Sequence, residues 1–147
     1  MCKILKNRFL PMLLTLSIVM SMLGVLPIGV FAVEQESQSG DYTFVELNGH
    51  FCAITKYNGS DSEVTIPDTL DGLMVQTISS GAFKNNTTLE KVVLSQYIET
   101  VESEVFRGCT SLNAVTFDSN LTGIGSYMFY GCTSLKDIII PNGVTSI

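Results

Sequence analysis

The sequence has little histidine and few basic residues: one His and eight Lys plus Arg among 147 residues, against fourteen Asp plus Glu. So few cations cannot neutralise a phosphate backbone, which argues against nucleic acid as a partner. The same shortage argues against an anionic membrane surface. The lone imidazole, His50, follows the pair Asn48-Gly49. A general base needs a nucleophile or acid within hydrogen-bond reach, and the sequence places none there, so His50 reads as a surface histidine. Ser79, Ser80 and Ser103 carry hydroxyls but fall in turns, and Asp61, Glu63, Glu102 and Glu104 are spaced as exposed turn or strand residues. No Asp-rich loop gathers the oxygens that calcium requires. Four cysteines are present, and Cys2 lies in the N-terminal segment. The remaining three, Cys52, Cys109 and Cys132, are an odd set without zinc-ligand spacing, so neither a dense disulfide framework nor a zinc site is expected. No catalytic residue, metal or cofactor is expected.

Acidic residues are missing altogether before Glu34, whereas Lys3, Lys6 and Arg8 open the chain. An apolar run follows from Phe9 to Leu26, broken by Pro27 and Gly29 and ending in Val30-Phe31-Ala32. A basic start, an apolar middle and small exit residues are the parts of a secretory signal peptide, so residues 1–32 are expected to be removed after Ala32. The alternative is an uncleaved anchor, since the run approaches the ~20 residues that span a bilayer. Pro11, Pro27, Thr15, Ser17 and Ser21 weaken that alternative. Cleavage removes three positive charges and leaves five basic against fourteen acidic residues, a formal −9. Such charge suits solubility outside the cell.

What the rest of the chain has in abundance is repetition. Phe83, Phe106 and Phe129 are spaced by 23, as are Leu89, Leu112 and Leu135. So are Val92, Val115 and Ile138; Leu94, Phe117 and Ile140; and Ile98, Leu121 and Val144. Ile78, Val101, Ile124 and Ile147 keep the same step, and Asn86, Cys109 and Cys132 form one more column. A period of about 23 lies within the 20 to 29 residues of leucine-rich repeats.

The spacing has a physical reading. In Leu112-x-x-Val115-x-Phe117, strand alternation points Val115 and Phe117 inward and Thr116 outward. One such strand cannot bury its apolar face alone; coils stacked about 4.8 Å apart give a parallel sheet and a continuous core. Leu121-x-x-Ile124 lines a second wall. Ser126-Tyr127-Met128-Phe129 predicts a short helical turn that drops a Phe into the core, and Asn85, Gly108 and Gly131 suit a left-handed residue after it. Stacking also places Cys109 over Cys132 with Cα atoms about 4.8 Å apart, inside the disulfide range; their parallel side chains favour two buried free thiols over a bridge, because free Cys packs as a small apolar residue. Ahead of the repeats, Tyr42 to Leu47, Asn48-Gly49 and His50 to Tyr57 predict a hairpin with a two-residue type I′ turn. Glu63 to Ile66 predicts a third strand stopped by Pro67.

The expected architecture is a mostly β, α/β solenoid with a parallel sheet on one face and an N-terminal β-hairpin cap. The divisions are a signal peptide (1–32), a polar linker (33–40), the cap (41–75) and leucine-rich repeats (76–147) of about three coils. The last coil stops at Ile147 short of its next turn and Phe, so a longer natural protein is expected, with a partly frayed third repeat or end-to-end pairing as the alternatives.

The motif Cys109-x-x-Leu112-x-x-Val115-x-Phe117-x-x-x-Leu121-x-x-Ile124-Gly125-x-x-Met128-Phe129 resembles the BspA-like, or treponemal-class, leucine-rich repeats. Cys132 to Pro141 resembles their consensus as well, and Ile54 to Ser60 with Val64-Thr65-Ile66-Pro67 resembles their opening unit. The eukaryotic ribonuclease-inhibitor type keeps an Asn where Tyr97, Asn120 and Gly143 stand here. The resemblance implies a bacterial secreted or cell-surface protein and a role in adhesion to host matrix proteins or to other bacteria.

A solenoid offers a long strand face for binding. The residues expected to point outward on it are Lys91, Val93, Ser95, Ala114, Thr116, Asp118, Asp137 and Ile139. They are mixed and small, with no aromatic anchor of the usual hot-spot kind. The expected function is an extracellular binding module for a protein or glycan. A structural spacer, or the targeting part of a larger surface protein or enzyme, remains open beside it.

Overall fold

The structure, a computed structural model, describes residues 35–117 and 120–147. The expected signal peptide and Asp118 lie outside them. Among the described residues ten strands follow in order: β1 Glu36–Ser39, β2 Tyr42–Glu46, β3 Phe51–Tyr57, β4 Glu63–Thr65, β5 Thr69–Leu70, β6 Leu73–Ile78, β7 Lys91–Val93, β8 Thr100–Val101, β9 Ala114–Thr116 and β10 Gly123–Ile124. The described residues contain no helix long and apolar enough to cross a membrane.

The predicted parallel sheet is β4-β7-β9, in the register Val64↔Val92↔Val115. Alternation sets its two faces: Glu63 and Thr65 are exposed around buried Val64, and Lys91 and Val93 around buried Val92. The second wall is itself a parallel ladder, β3-β6-β8-β10, with Ile54, Ile78, Val101 and Ile124 in one column. Each fully buried Val, Leu or Ile contributes about 1.5–3 kcal/mol relative to leaving it in water. Pairing coil on coil is what makes that burial available, because every inward residue meets the same column above and below.

A third line of stacking joins the walls. The turns at 80–85, 103–108 and 126–131 bond coil to coil: Phe83 N–H donates to Val105 O at 3.0 Å and Phe106 N–H to Met128 O at 3.1 Å. The short helical turns expected there are these hydrogen-bonded turns, too brief for a helix. Asn85, Gly108 and Gly131 hold φ values of 62°, 75° and 79°, as their column predicts. Inside, an aromatic ladder runs Tyr42, Tyr57, Phe83, Phe106, Phe129, with successive ring centroids 5.0 to 5.9 Å apart.

The N-terminal region differs from expectation in three places. The polar linker carries β1, which pairs antiparallel with β2 through a two-residue turn at Gly40-Asp41. Its side chains are almost all exposed, so the backbone ladder alone recruits it. The hairpin β2-β3 is present, but its connection is not a two-residue Asn48-Gly49 turn. Pairing ends at Glu46↔Cys52, and Leu47 N–H closes on Phe51 O at 2.9 Å. A type I′ turn needs positive φ at both central residues; only Gly49 has it, at 79°. The parallel ladder also reaches back through β6 and β3, into the segment expected as cap.

The last coil differs too. Sequence periodicity predicts a strand over Asp137 to Ile140, yet that segment joins no ladder. Ile139 is 88% exposed, and a groove of about 590 Å³ opens between β9 and residues 137–143. Contact with the coil before runs instead along the second wall, through Thr145 N–H to Thr122 O at 3.0 Å and Ile124 N–H to Ser146 O at 3.0 Å.

Candidate functional site

The outward face of β4-β7-β9 consists of two rows fixed by strand register. Glu63, Lys91 and Ala114 make one; Thr65, Val93 and Thr116 make the other. Of the residues expected on this face, Lys91, Val93 and Thr116 are exposed and Ala114 is half-buried. Asp137 and Ile139 are exposed beyond β9, across the 590 Å³ groove from Ala114 and Thr116. Glu63 and Thr65 belong to the same face and were missing from the expected set; the Glu63-Val64-Thr65-Ile66 alternation already carries the signal.

Ser95 is a correction. It is 6% exposed, and its hydroxyl donates to Asp68 Oδ1 at 2.6 Å. Strand β7 ends at Val93, after which Ser95 starts a turn closed by Ile98 N–H donating to Ser95 O at 3.1 Å. A polar side chain at the corner is buried only because it has a partner there. Extrapolating strand alternation two residues past the end of the strand produced the error.

The face is nearly neutral. Lys91 Nζ meets Glu63 Oε1 at 2.6 Å across the rung. The hydrogen bond to Glu63 raises the Lys91 pKa, and the charge of Glu63 adds to it. Both side chains are at least half exposed, and such pairs contribute little to stability. Their effect is to remove one charge of each sign from the surface a partner would meet.

The other sequence candidates are accounted for structurally. Ser80 donates both its N–H and its Oγ to Glu102 Oε2, at 2.8 and 3.0 Å. Glu104 bridges Lys84 at 2.7 Å and Arg107 at 2.8 Å, and the hydrogen bond from Lys84 leads in holding its carboxyl below the usual range. His50 is exposed, and its carbonyl accepts from Met74 N–H at 2.8 Å. Among the described residues no group of three His, Cys, Asp or Glu side chains could hold a metal ion.

The cysteine column packs as the spacing predicts. Cys52, Cys109 and Cys132 are free and buried. Cys109 Sγ lies 3.1 Å from Phe83 O and Cys132 Sγ 3.0 Å from Phe106 O, so each thiol donates into the preceding coil. Burial pushes the Cys109 thiol from 9.0 up to about 11. A raised pKa stabilises the fold fully below the unfolded value and loses that contribution as pH climbs through the folded one. Stability should therefore fall between about pH 9 and 11, and Cys109→Ala should flatten that part of the profile. At pH 8 the native chain should resist iodoacetamide at all three thiols and react in urea; fast native labelling of Cys109 would contradict the buried column.

Two features escaped the sequence reading. Glu104 and Tyr127 hold left-handed backbone, φ 60° and 58°, in the column where Gly81 stands at 71°. Tyr127 and Tyr130, 68% and 62% exposed, rise from the turns beside Arg107. Only the 23-residue step from Gly81 could have pointed to the backbone conformation.

A family model described as BspA type leucine rich repeat region matches residues 55–147 in six copies. Solved structures share the fold. A leucine-rich-repeat protein of T. pallidum is 26% identical with a TM-score of 0.69, covering 75% of this chain and 52% of its own. A leucine rich cell surface protein of Faecalibacterium prausnitzii is 30% identical with a TM-score of 0.69, covering 76% of this chain and 32% of its own. A leucine-rich repeat protein of Bacteroides capillosus is 26% identical with a TM-score of 0.71, covering 78% of this chain and 88% of its own. The chain thus spans about half of the first of these and a third of the second. No curated protein matches it.

Proposed function

Because the chain belongs to the BspA-type leucine-rich-repeat family, we propose that it is an extracellular interaction module that engages an adhesion partner, protein or glycan, across the outward face of β4-β7-β9. The carrying observation is the register and chemistry of that face. It is a register-fixed surface on which Glu63 and Lys91 pair with each other, leaving Val93 41% exposed and Thr65 and Thr116 beside it. Exposed apolar and hydroxyl side chains on a rigid scaffold suit association over an area better than chemistry at a point. Export fits the order of residues 1–32 and the description of the Faecalibacterium relative as a cell surface protein.

The test uses the full chain on a biosensor against a panel of extracellular matrix proteins and bacterial surface glycans. For any partner bound, Val93→Asp with Thr116→Lys should weaken binding by about tenfold or more, or ~1.4 kcal/mol, without altering circular dichroism. Thr100→Lys on the second wall should leave binding intact. The opposite pattern would move the site to the β6-β8-β10 wall.

A further inference from the structure

The turn ridge carries a cleft of about 260 Å³ lined by Glu104, Arg107, Tyr127 and Tyr130. We propose that it is a second binding site, for one ring of a neutral saccharide, independent of the strand face.

Four observations meet there. The first is a departure from what the repeat favours. The column of Gly81, Glu104 and Tyr127 requires positive φ. Glycine adopts that conformation freely, whereas other residues lose stability in it. The chain nonetheless places Glu and then Tyr in the column, and both side chains line the same cleft. Strain kept at one spot is how a fold presents a working side chain.

The second is aromatic presentation. The rings of Tyr127 and Tyr130 stand edge to face, 6.2 Å apart at 78°, and both are mostly exposed. Arg107 lies over the Tyr130 ring at 5.2 Å, which fixes its orientation. A sugar ring has an apolar C–H face that packs on such a ring and a rim of hydroxyls that does not.

The third is the balance of polar groups. Arg107 Nη1 is held by Glu104 Oε1 at 2.8 Å, and Lys84 Nζ, outside the cleft lining, by Glu104 Oε2 at 2.7 Å, so each cation is already engaged by the same carboxylate. Groups paired in this way supply hydrogen-bond donors and acceptors for hydroxyls, and a sulfate or carboxylate would have to compete with Glu104 for either cation.

The fourth concerns the backbone. Glu104 N–H donates to Ser126 O at 3.0 Å, Phe106 N–H to Met128 O at 3.1 Å and Gly108 N–H to Tyr130 O at 2.8 Å. The amides of the middle turn are therefore closed to an added peptide strand. What the cleft offers is ring faces and side-chain polar groups, in a space of the size of a single sugar residue.

The experiment titrates the full chain on a biosensor. The probes are a panel of neutral hexose and N-acetylhexosamine tetrasaccharides, with a heparin tetrasaccharide and gelatin as anionic and polypeptide comparators. At least one neutral probe should bind. Tyr130→Ala and Tyr127→Gly should each weaken it by about tenfold, the ordinary effect of removing an aromatic anchor. Val93→Asp on the strand face should leave it unchanged, which separates this site from the proposed adhesion face. Tyr127→Gly should also raise the melting temperature, because glycine relieves the left-handed strain that the tyrosine carries. Tyrosine-dependent binding of gelatin or heparin alone, no neutral probe bound, or a Tyr127→Gly variant that melts lower than the parent would each overturn the proposal.

Discussion

Phe106→Ala is expected to lower stability by about 3–5 kcal/mol, the usual effect of deleting a buried aromatic and leaving a cavity. Phe106 is fully buried in the middle of the ladder, 5.3 Å from Phe83 and 5.9 Å from Phe129, nearly parallel to the latter at 6°. Its neighbours cannot collapse into the space, because Phe106 N–H is tied to Met128 O at 3.1 Å and its carbonyl accepts from Cys132 Sγ. Domains of this size are stable by only about 5–15 kcal/mol, so the variant should be near its limit. Urea unfolding followed by circular dichroism reads the loss. Phe106→Leu keeps most of the volume, should cost about 1.5 kcal/mol, and provides a folded comparator if the alanine variant does not fold. A loss below ~1 kcal/mol for Phe106→Ala would mean that the ladder is not the spine of the core.

The ladder also shows how far residue spacing reaches. Phe83, Phe106 and Phe129 share an unbroken step of 23, so their stacking was legible before any coordinates. Tyr57 is the preceding rung, 5.0 Å from Phe83, yet it sits 26 residues earlier. One extra residue falls between Ile54 and Ile78, where β5 is inserted, and the other two arise because Tyr57 follows Ile54 by three residues whereas Phe83 follows Ile78 by five; a fixed period cannot see through either change. The same limit hid the start of the second ladder. Ile54 pairs with Ile78 at a step of 24, with a bulge between Cys52 and Ala53, so the second wall begins earlier than periodicity suggests.

For the candidate face, legibility followed the strand ends. Lys91, Val93 and Thr116 lie inside strands, where alternation holds, and they point outward as expected. Ser95 lies beyond β7, where no ladder enforces alternation, and it turned inward to Asp68. Ile139 is exposed as expected, but in a segment without a ladder, so its exposure comes from the open groove and not from strand geometry. The tyrosine ridge was invisible for a different reason. Its residues are presented by left-handed turns, and neither Glu104 nor Tyr127 has a local preference for that backbone. Strand β1 went unread because a backbone ladder asks nothing of its side chains.

The two glycines that flank Ile124 should respond in opposite ways to the same added methyl. A Cβ on Gly125 would collide with the Glu102 carbonyl carbon and Ser103 N, backbone atoms that cannot swing aside. Glu102 occupies the equivalent place one coil earlier, so the tightness belongs to this pair of coils and not to the repeat. The pair cannot part cheaply: Gly125 N–H donates to Val101 O at 2.8 Å, and Ile124 is in register with Val101. Gly125→Ala should therefore destabilise by about 2–3 kcal/mol, at the upper end of overpacking costs. Gly123, two residues before, has nothing within 4 Å of a built Cβ and no positive φ. Gly123→Ala should be neutral or stabilise by about 0.4–1 kcal/mol, because alanine reduces the freedom of the unfolded chain. Urea denaturation of the two variants beside the parent measures both. Equal effects would show that the second wall gives way between these coils, whereas opposite signs would establish that Gly125 is where one coil seats against the backbone of the last.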